Sequence, residues 1–417
     1  ALVNDESVRS LFVAEANYSL AFGILPFLVF LNVTSYANKF LIRRRLPEFA
    51  QYELAGLEKK DVISILRYET ILVSGSALIG GIVIGIAISP FVEMIVSWSY
   101  ALPMKFVVVA SPLGAIVTTI IFFITMFVLS RGSKRILKKS TLLQMMSAKK
   151  ENDSSKPLSI SRAIFDACIG VLLLAIVYVV CAQAPFAFIG FMIPFGACAI
   201  FGSFFVFRST LVLLPRILKK IPDIWYRGLT AFSVRQAEGV ARNASKAMTC
   251  SAALSSVGMC MFVFAVVLRT QIFEVISSQD MSASDVSGPF GVIVFTCSFY
   301  AVVLLVFSSV ILAVQQLSLA ADNKERYYKL YELGASREIL SKSLLTGVLC
   351  NFLLPGIFTV IHAIFGLNVI RFMSVEMFQT AIEPSIWPVA LLTLFGFVVY
   401  FFITYIGAKK NALSMHI

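Results

Sequence analysis

The chain alternates long apolar runs with short polar stretches. Windows of about 19 residues place nine runs near 18–38, 70–95, 106–130, 163–182, 185–207, 245–268, 290–316, 343–367 and 386–407. Each is long enough to cross a hydrocarbon core of ~30 Å at 1.5 Å per residue. Within the runs the apolar residues are continuous and do not alternate with a period of two, so the pattern predicts helices and excludes a transmembrane barrel. The expected fold is all-α, a polytopic helical membrane protein with nine spans.

Composition agrees and adds an orientation. Of 417 residues, 59% are hydrophobic and 14% charged, against roughly 45–50% and ~25% in soluble domains. Of the 35 Lys and Arg residues, Arg9, Lys105, Arg269 and Arg371 fall on one side of the spans and the other 31 on the opposite side. The basic side is expected to be cytoplasmic, with the C-terminus and its Lys409 and Lys410, and the stretch before residue 18 to be outside. The net charge of +12 then reads as a topology signal and an attraction to anionic headgroups. Membrane lipids are the expected partners, and nucleic acid is not. An outside N-terminus is explained by one more span ahead of Ala1, so nine is a lower bound.

Candidate chemistry is sparse. Cys168, Cys181, Cys198, Cys250, Cys260, Cys297 and Cys350 lie in or at the ends of apolar runs without a C-x-x-C pair, and read as small buried hydrophobes. His362 sits inside a run and is expected to hydrogen-bond a neighbouring helix. His362 and His416 stand alone in their segments, so no metal site is expected. No phosphate-binding G-x-x-x-x-G-K-[ST], G-x-S-x-G or H-E-x-x-H occurs. Glu69, Glu93 and Asp166 fall at span ends, which disfavours an ion-coupled carrier needing midplane carboxylates. The chain is not expected to be an enzyme.

The informative pattern is an internal repeat in the polar stretches. The first copy runs from Arg43 to Leu66 (RRRLPEFAQYELAGLEKKDVISIL) and the second from Lys324 to Leu345 (KERYYKLYELGASREILSKSLL). With Gly56 aligned on Gly334, each glycine follows an aromatic and acidic stretch containing Y-E-L, and is followed three positions later by Lys59 or Arg337. The two Y-E-L triplets differ in register by one residue. Beyond each copy, a hairpin of two spans ends in F-F-I-T (Phe122 to Thr125, Phe401 to Thr404) and then basic residues. The offsets are 278 and 279 residues, so a three-span unit is duplicated.

Each copy reads as a short helix, a break and a re-entry into the membrane. Pro47 and Glu48 suit a first helical turn, and Gly56 and Gly334 suit the left-handed position that stops a helix. Ser336 can cap the next helix, with Glu338 in its first turn. A juxtamembrane helix anchored by Arg43, Arg44 and Arg45 is the plainer alternative for one copy. Two copies on one side argue for a two-fold partner.

These motifs resemble the FtsX-type permease domain of ABC transporters, and two such domains around four further spans resemble the bacitracin-efflux, BceB-type permeases. The stretches Ile311 to Ser336 and Phe207 to Leu229 agree. The resemblance implies a bacterial cell-membrane subunit with no cofactor of its own, driven by two copies of a separate ABC ATPase that carry the ATP and Mg. It implies movement or release of a cell-wall-directed peptide antibiotic or its lipid-linked target. Alternatives are a flux-sensing scaffold for a membrane histidine kinase and a lipoprotein-releasing permease. The implied ATPase-coupling residues are Glu48, Phe49, Tyr52, Glu53 and Gly56 in the first loop, and Tyr328, Tyr331, Glu332 and Gly334 in the second. The family has ten spans and a large extracellular domain between the seventh and eighth. Against that pattern the first span is absent here, and the Arg269–Pro289 loop is short and expected to be incomplete.

The expected organisation is a first FtsX-like domain at 11–146, a cytoplasmic linker at 147–161, central spans at 162–268, an extracellular region at 269–289 and a second FtsX-like domain at 290–417. Ala77, Gly81, Gly85 and Ser89 form a small-residue ridge at four-residue spacing that suits close helix approach. Between 225 and 246, Arg235, Arg242 and Lys246 share one helical face, which predicts a lateral helix along the inner leaflet.

Overall fold

The computed structural model describes residues 45–99, 112–146, 159–239, 241–279, 283–378 and 383–413, with scattered positions in 27–42 and 106–110. Every regular element among them is a helix. Residues 45–54 are helical (α1), followed by α2 (Lys59–Ser99), α3 (Pro112–Lys139) and a short turn of helix at 142–146 (α4). Then come α5 (Ile160–Gln183), α6 (Pro185–Gly190), α7 (Met192–Leu218), α8 (Pro222–Trp225), α9 (Thr230–Gly239), α10 (Ala241–Gln279), α11 (Ala283–Asp322), α12 (Lys324–Glu332), α13 (Arg337–Phe378) and α14 (Glu383–Leu413). Eight of these, α2, α3, α5, α7, α10, α11, α13 and α14, are long and apolar enough to cross a membrane. They coincide with eight of the nine expected runs, and the run at 18–38 lies largely outside the described residues. The protein is a polytopic all-α membrane protein.

The chain divides into two compact units, Ala1–Ser154 with Ile272–Phe299, and Ser155–Gln271 with Tyr300–Ile417. In the first, α2 and α3 pair, and Ile42, Leu46, Phe49, Val62, Leu66, Leu137 and Met145 close a core at one end of the hairpin. In the second, α5 and α7 pack most closely. Asp166 meets Arg208, Gly170 faces Gly202 and Val206, and Leu174 meets Gly202. Residue numbers rise on α5 as they fall on α7, so the pair is antiparallel. Small residues at such a crossing let two backbones approach closely, and the ion pair lies beside that approach.

His362 on α13 bridges this pair. Its Nδ1 lies 2.7 Å from the Tyr178 hydroxyl on α5, and its Nε2 lies 2.9 Å from Ser203 Oγ on α7. Both ring nitrogens are therefore satisfied within the helix bundle, as the sequence led one to expect. Further hydrogen bonds between spans join Ser251 to Ser308 and Ser255 to Thr359. The cysteines divide: Cys181 and Cys297 are buried, while Cys168, Cys250 and Cys350 are exposed on span surfaces, where a small apolar side chain also suits lipid.

Two expected packing features take another form. The ridge of Ala77, Gly81, Gly85 and Ser89 lies on α2, but among the described residues nothing comes within 4 Å of a Cβ placed at Gly81 or Gly85. The close glycine approach is made by Gly170 and Gly202 instead. The 225–246 segment is also not one helix, because α8 ends at Trp225 and residues 226–229 turn before α9 begins at Thr230. Arg235 lies on α9, and Arg242 and Lys246 belong to α10, with residue 240 outside the described residues. Ala244, Ala247 and Met248 are buried, so the start of α10 is packed into the unit. Arg235 and Lys246 are exposed, and the Arg242 side chain lies outside the described residues.

Candidate functional site

Each copy of the repeat folds into a short helix, a reversal and a long span. In the first, Gly56 has φ 98°, its amide donates to the Glu53 carbonyl at 3.1 Å, and the Leu57 amide donates to the Tyr52 carbonyl at 3.1 Å. In the second, Gly334 has φ 96°, with its amide donating to Tyr331 at 2.9 Å and that of Ala335 to Leu330 at 3.0 Å. Both are the same Schellman ending, with glycine at the left-handed position that other residues reach only under strain. The following helix starts are capped in different ways. The Ile339 amide donates to Ser336 Oγ at 3.4 Å, whereas Asp61 Oδ2 accepts from the Glu58 amide at 3.2 Å.

The packing repeats at the same 278-residue offset as the glycines. Ile42, Phe49, Val62 and Leu66 are buried in the first core, and Ala320, Tyr327, Leu340 and Leu344, each 278 positions later, are buried in the second. Along α3 and α14, the 279-residue offset pairs Thr125 with Thr404 and Ser133 with Ala412, all buried. A burial pattern duplicated at the sequence offset is the strongest structural sign that the two units share one design.

These contacts decide which side of each short helix is free. Phe49 is 1% exposed and Tyr327 2%, so both aromatics hold the short helix onto its own span. Phe49, expected at a partner surface, is thus a core residue. It sits under Arg45, whose guanidinium lies 5.3 Å from the ring centre and bonds Glu69 at 2.6 Å and Glu48 at 3.0 Å. The Glu69 hydrogen bond foremost, opposed by partial burial, raises the Arg45 pKa. Burial of Tyr327 raises its phenol pKa, and a hydrogen bond with Ser343 acts in the opposite sense.

The free surface consists of Tyr52 and Leu54 in the first segment, and of Tyr328, Tyr331 and Leu333 in the second, all exposed. Glu332 is exposed, Glu53 half-buried, and Glu48 occupied by Arg45. Tyr331 has the Arg337 guanidinium 6.0 Å from its ring centre. Aligned on the glycines, Tyr52 stands opposite Leu330 and Tyr331 opposite Glu53, so the two exposed tyrosines are not equivalent positions. The equivalent aromatics are Phe49 and Tyr327. Tyr327 was missed in the sequence, although its offset from Phe49 is that of the glycines and could have found it. Among the described residues no group of His, Cys, Asp and Glu could hold a metal ion. Each segment offers aromatic and aliphatic contact area and acidic groups, which suits docking.

Residues 20–141 match the family described as FtsX-like permease C-terminal. The chain is 27% identical to the uncharacterized ABC transporter permease YvcS of Bacillus subtilis over 236 residues, which cover 54% of this chain and 34% of that protein. It is 25% identical to the bacitracin export permease protein BceB of Halalkalibacterium halodurans over 195 residues, covering 44% and 30%. The matches span about a third of the length of these curated relatives. The first unit thus carries an FtsX-like permease domain, within a chain distantly similar to ABC transporter permeases.

Proposed function

We propose that this chain is the membrane-spanning permease subunit of an ABC transporter, with α1 and α12 as the segments that dock on a separate ATPase. The observation that carries this reading is the duplicated coupling unit, in which one turn geometry and one buried aromatic recur at a single offset. Two such segments in one chain suit the two faces of an ATPase dimer. Closure of that dimer on ATP and Mg would draw on α1 and α12, and each segment runs through a rigid glycine turn into a span more than 30 Å long, α2 or α13. The C-terminus, with Lys409 and Lys410, would then be cytoplasmic. Similarity to a protein named for bacitracin export supports a cell-wall-directed peptide antibiotic, or its lipid-linked target, as the substrate.

Two measurements test the reading. Native mass spectrometry of the purified complex should give one permease per two ATPase chains, and two permeases per ATPase pair would contradict it. Tyr52→Ala and Tyr331→Ala should each weaken ATPase binding by about thirtyfold, the effect of removing an interface anchor worth ~2 kcal/mol. Thermal unfolding of the permease should be unchanged, because both side chains are 38% exposed. Wild-type binding in both variants would make these tyrosines headgroup-level anchors.

A further inference from the structure

The second unit holds a cavity of about 60 Å³ between α7, α9, α11 and α13, bordered also by Tyr327 of α12. Gln236 and Gln316 line it, and the amide nitrogens of both are buried without a hydrogen-bond partner. Gln316 is 3% exposed. An unpartnered buried donor carries its full desolvation penalty, so an acceptor is called for. The other amides at the cavity are already engaged: Asn323 donates to the Leu319 carbonyl and Asn351 to that of Gly347.

The repeat explains how the Gln316 donor came to be unspent. Asn38, 278 residues earlier, gives its amide to Ser133 Oγ at 2.9 Å. The residue 279 positions after Ser133 is Ala412, which has nothing to accept with. The second unit thus has the donor without the side-chain acceptor that the first unit supplies.

The position of the cavity identifies the acceptor. Thr346 and Cys350 border it and are exposed on α13. Lys342 is the last charged residue on that helix before Arg371, so the hydrocarbon begins within about a turn of it. If α13 spans as proposed above, on which this step rests, the mouth opens sideways to the inner leaflet at its glycerol level. No cation lines the cavity, and its volume is far below the ~300 Å³ of an ordinary small-molecule site. It can take an ester group but not a phospholipid headgroup.

We propose that the cavity binds an inner-leaflet glycerolipid through an ester carbonyl, held by the Gln236 and Gln316 amides. The site lies against Tyr327 and Ser233, so occupancy would tie α9 and the coupling segment to the surrounding bilayer.

The test uses the full permease with its ATPase in nanodiscs, with lipid retained after detergent extraction counted by native mass spectrometry. Ester-linked phosphatidylcholine and phosphatidylglycerol should be retained equally, and an ether-linked phosphatidylcholine lacking the carbonyls about tenfold less. The Gln236→Leu/Gln316→Leu variant should lose the ester preference while keeping its melting temperature and its ATPase. Equal retention of ether and ester lipid, an unaltered preference in the variant, or no retained lipid at all, as for a cavity holding only water, would each overturn the proposal. Loss of the ATPase from wild-type particles would count against the transporter reading and leave lipid retention readable.

Discussion

Phe49→Ala is expected to cost the first unit about 3–5 kcal/mol, the range for deleting a fully buried aromatic. The ring lies among Leu46, Val62, Leu66, Leu137 and Met145, which come from α1, α2, α3 and α4. Its loss therefore opens a cavity where four elements meet. The second unit makes the matched experiment. Tyr327→Ala should behave like Phe49→Ala, because Tyr327 fills the equivalent position among Leu312, Leu340 and Leu344 and meets Phe232 edge-on at 5.5 Å. Tyr327→Phe keeps the ring and gives up only the hydroxyl, so it should cost about 1 kcal/mol. Hydrogen exchange across 45–66 and 324–345 would read these effects. Wild-type protection in both alanine variants would mean that the two short helices are not held by these aromatics.

The contrast with Tyr52→Ala separates two roles that look alike in sequence. Phe49, Tyr52, Tyr328 and Tyr331 are all aromatics in a short polar stretch beside a glycine. What divides them is the face of a nine- or ten-residue helix, and the face depends on where the following span lies. Sequence shows the glycine, because its left-handed turn requires that residue, and shows the spans, because twenty continuous apolar residues have few other uses. It does not show which aromatic turns inward. Only the 278-residue offset shared by Phe49, Val62 and Leu66 with Tyr327, Leu340 and Leu344 carried that information.

The lateral segment hides its inward face in the same way. Arg235, Arg242 and Lys246 share a face at helical spacing, but spacing alone does not say which of the residues between them turn inward. The buried Ala244, Ala247 and Met248 show that α10 is packed into the unit over 244–248, which the basic periodicity does not reveal. Asp166 and Arg208 were likewise unreadable as a pair. They lie 42 positions apart and come to 3.4 Å only through the antiparallel register of α5 and α7.

That register is set by glycines, and changing one of them should have the other large effect. A Cβ at Gly170 would lie 2.8 Å from Val206 Cγ2 and 2.9 Å from the Gly202 carbonyl oxygen. A backbone oxygen cannot swing aside as a long side chain can, so Gly170→Ala must push the helices apart at their closest point. Overpacking of this kind costs about 1–3 kcal/mol for a methyl group and more for larger side chains. The loss should spread along the pair. Asp166 and Arg208 lie about one turn away, and a buried ion pair pulled apart leaves charges without compensation, at about 3–5 kcal/mol if the break is complete. In the other direction, Tyr178 and Ser203 would no longer reach His362 together. Gly170→Leu is therefore expected to abolish a folded, monodisperse permease, and Gly170→Ala to lower its melting temperature. Gly81→Ala supplies the comparison, since no described atom lies near that position and a helical glycine replaced by alanine should gain up to about 1 kcal/mol. If Gly81→Ala destabilised the protein while Gly170→Ala did not, the sequence ridge on α2 would be the true packing seam and the α5–α7 crossing a loose one.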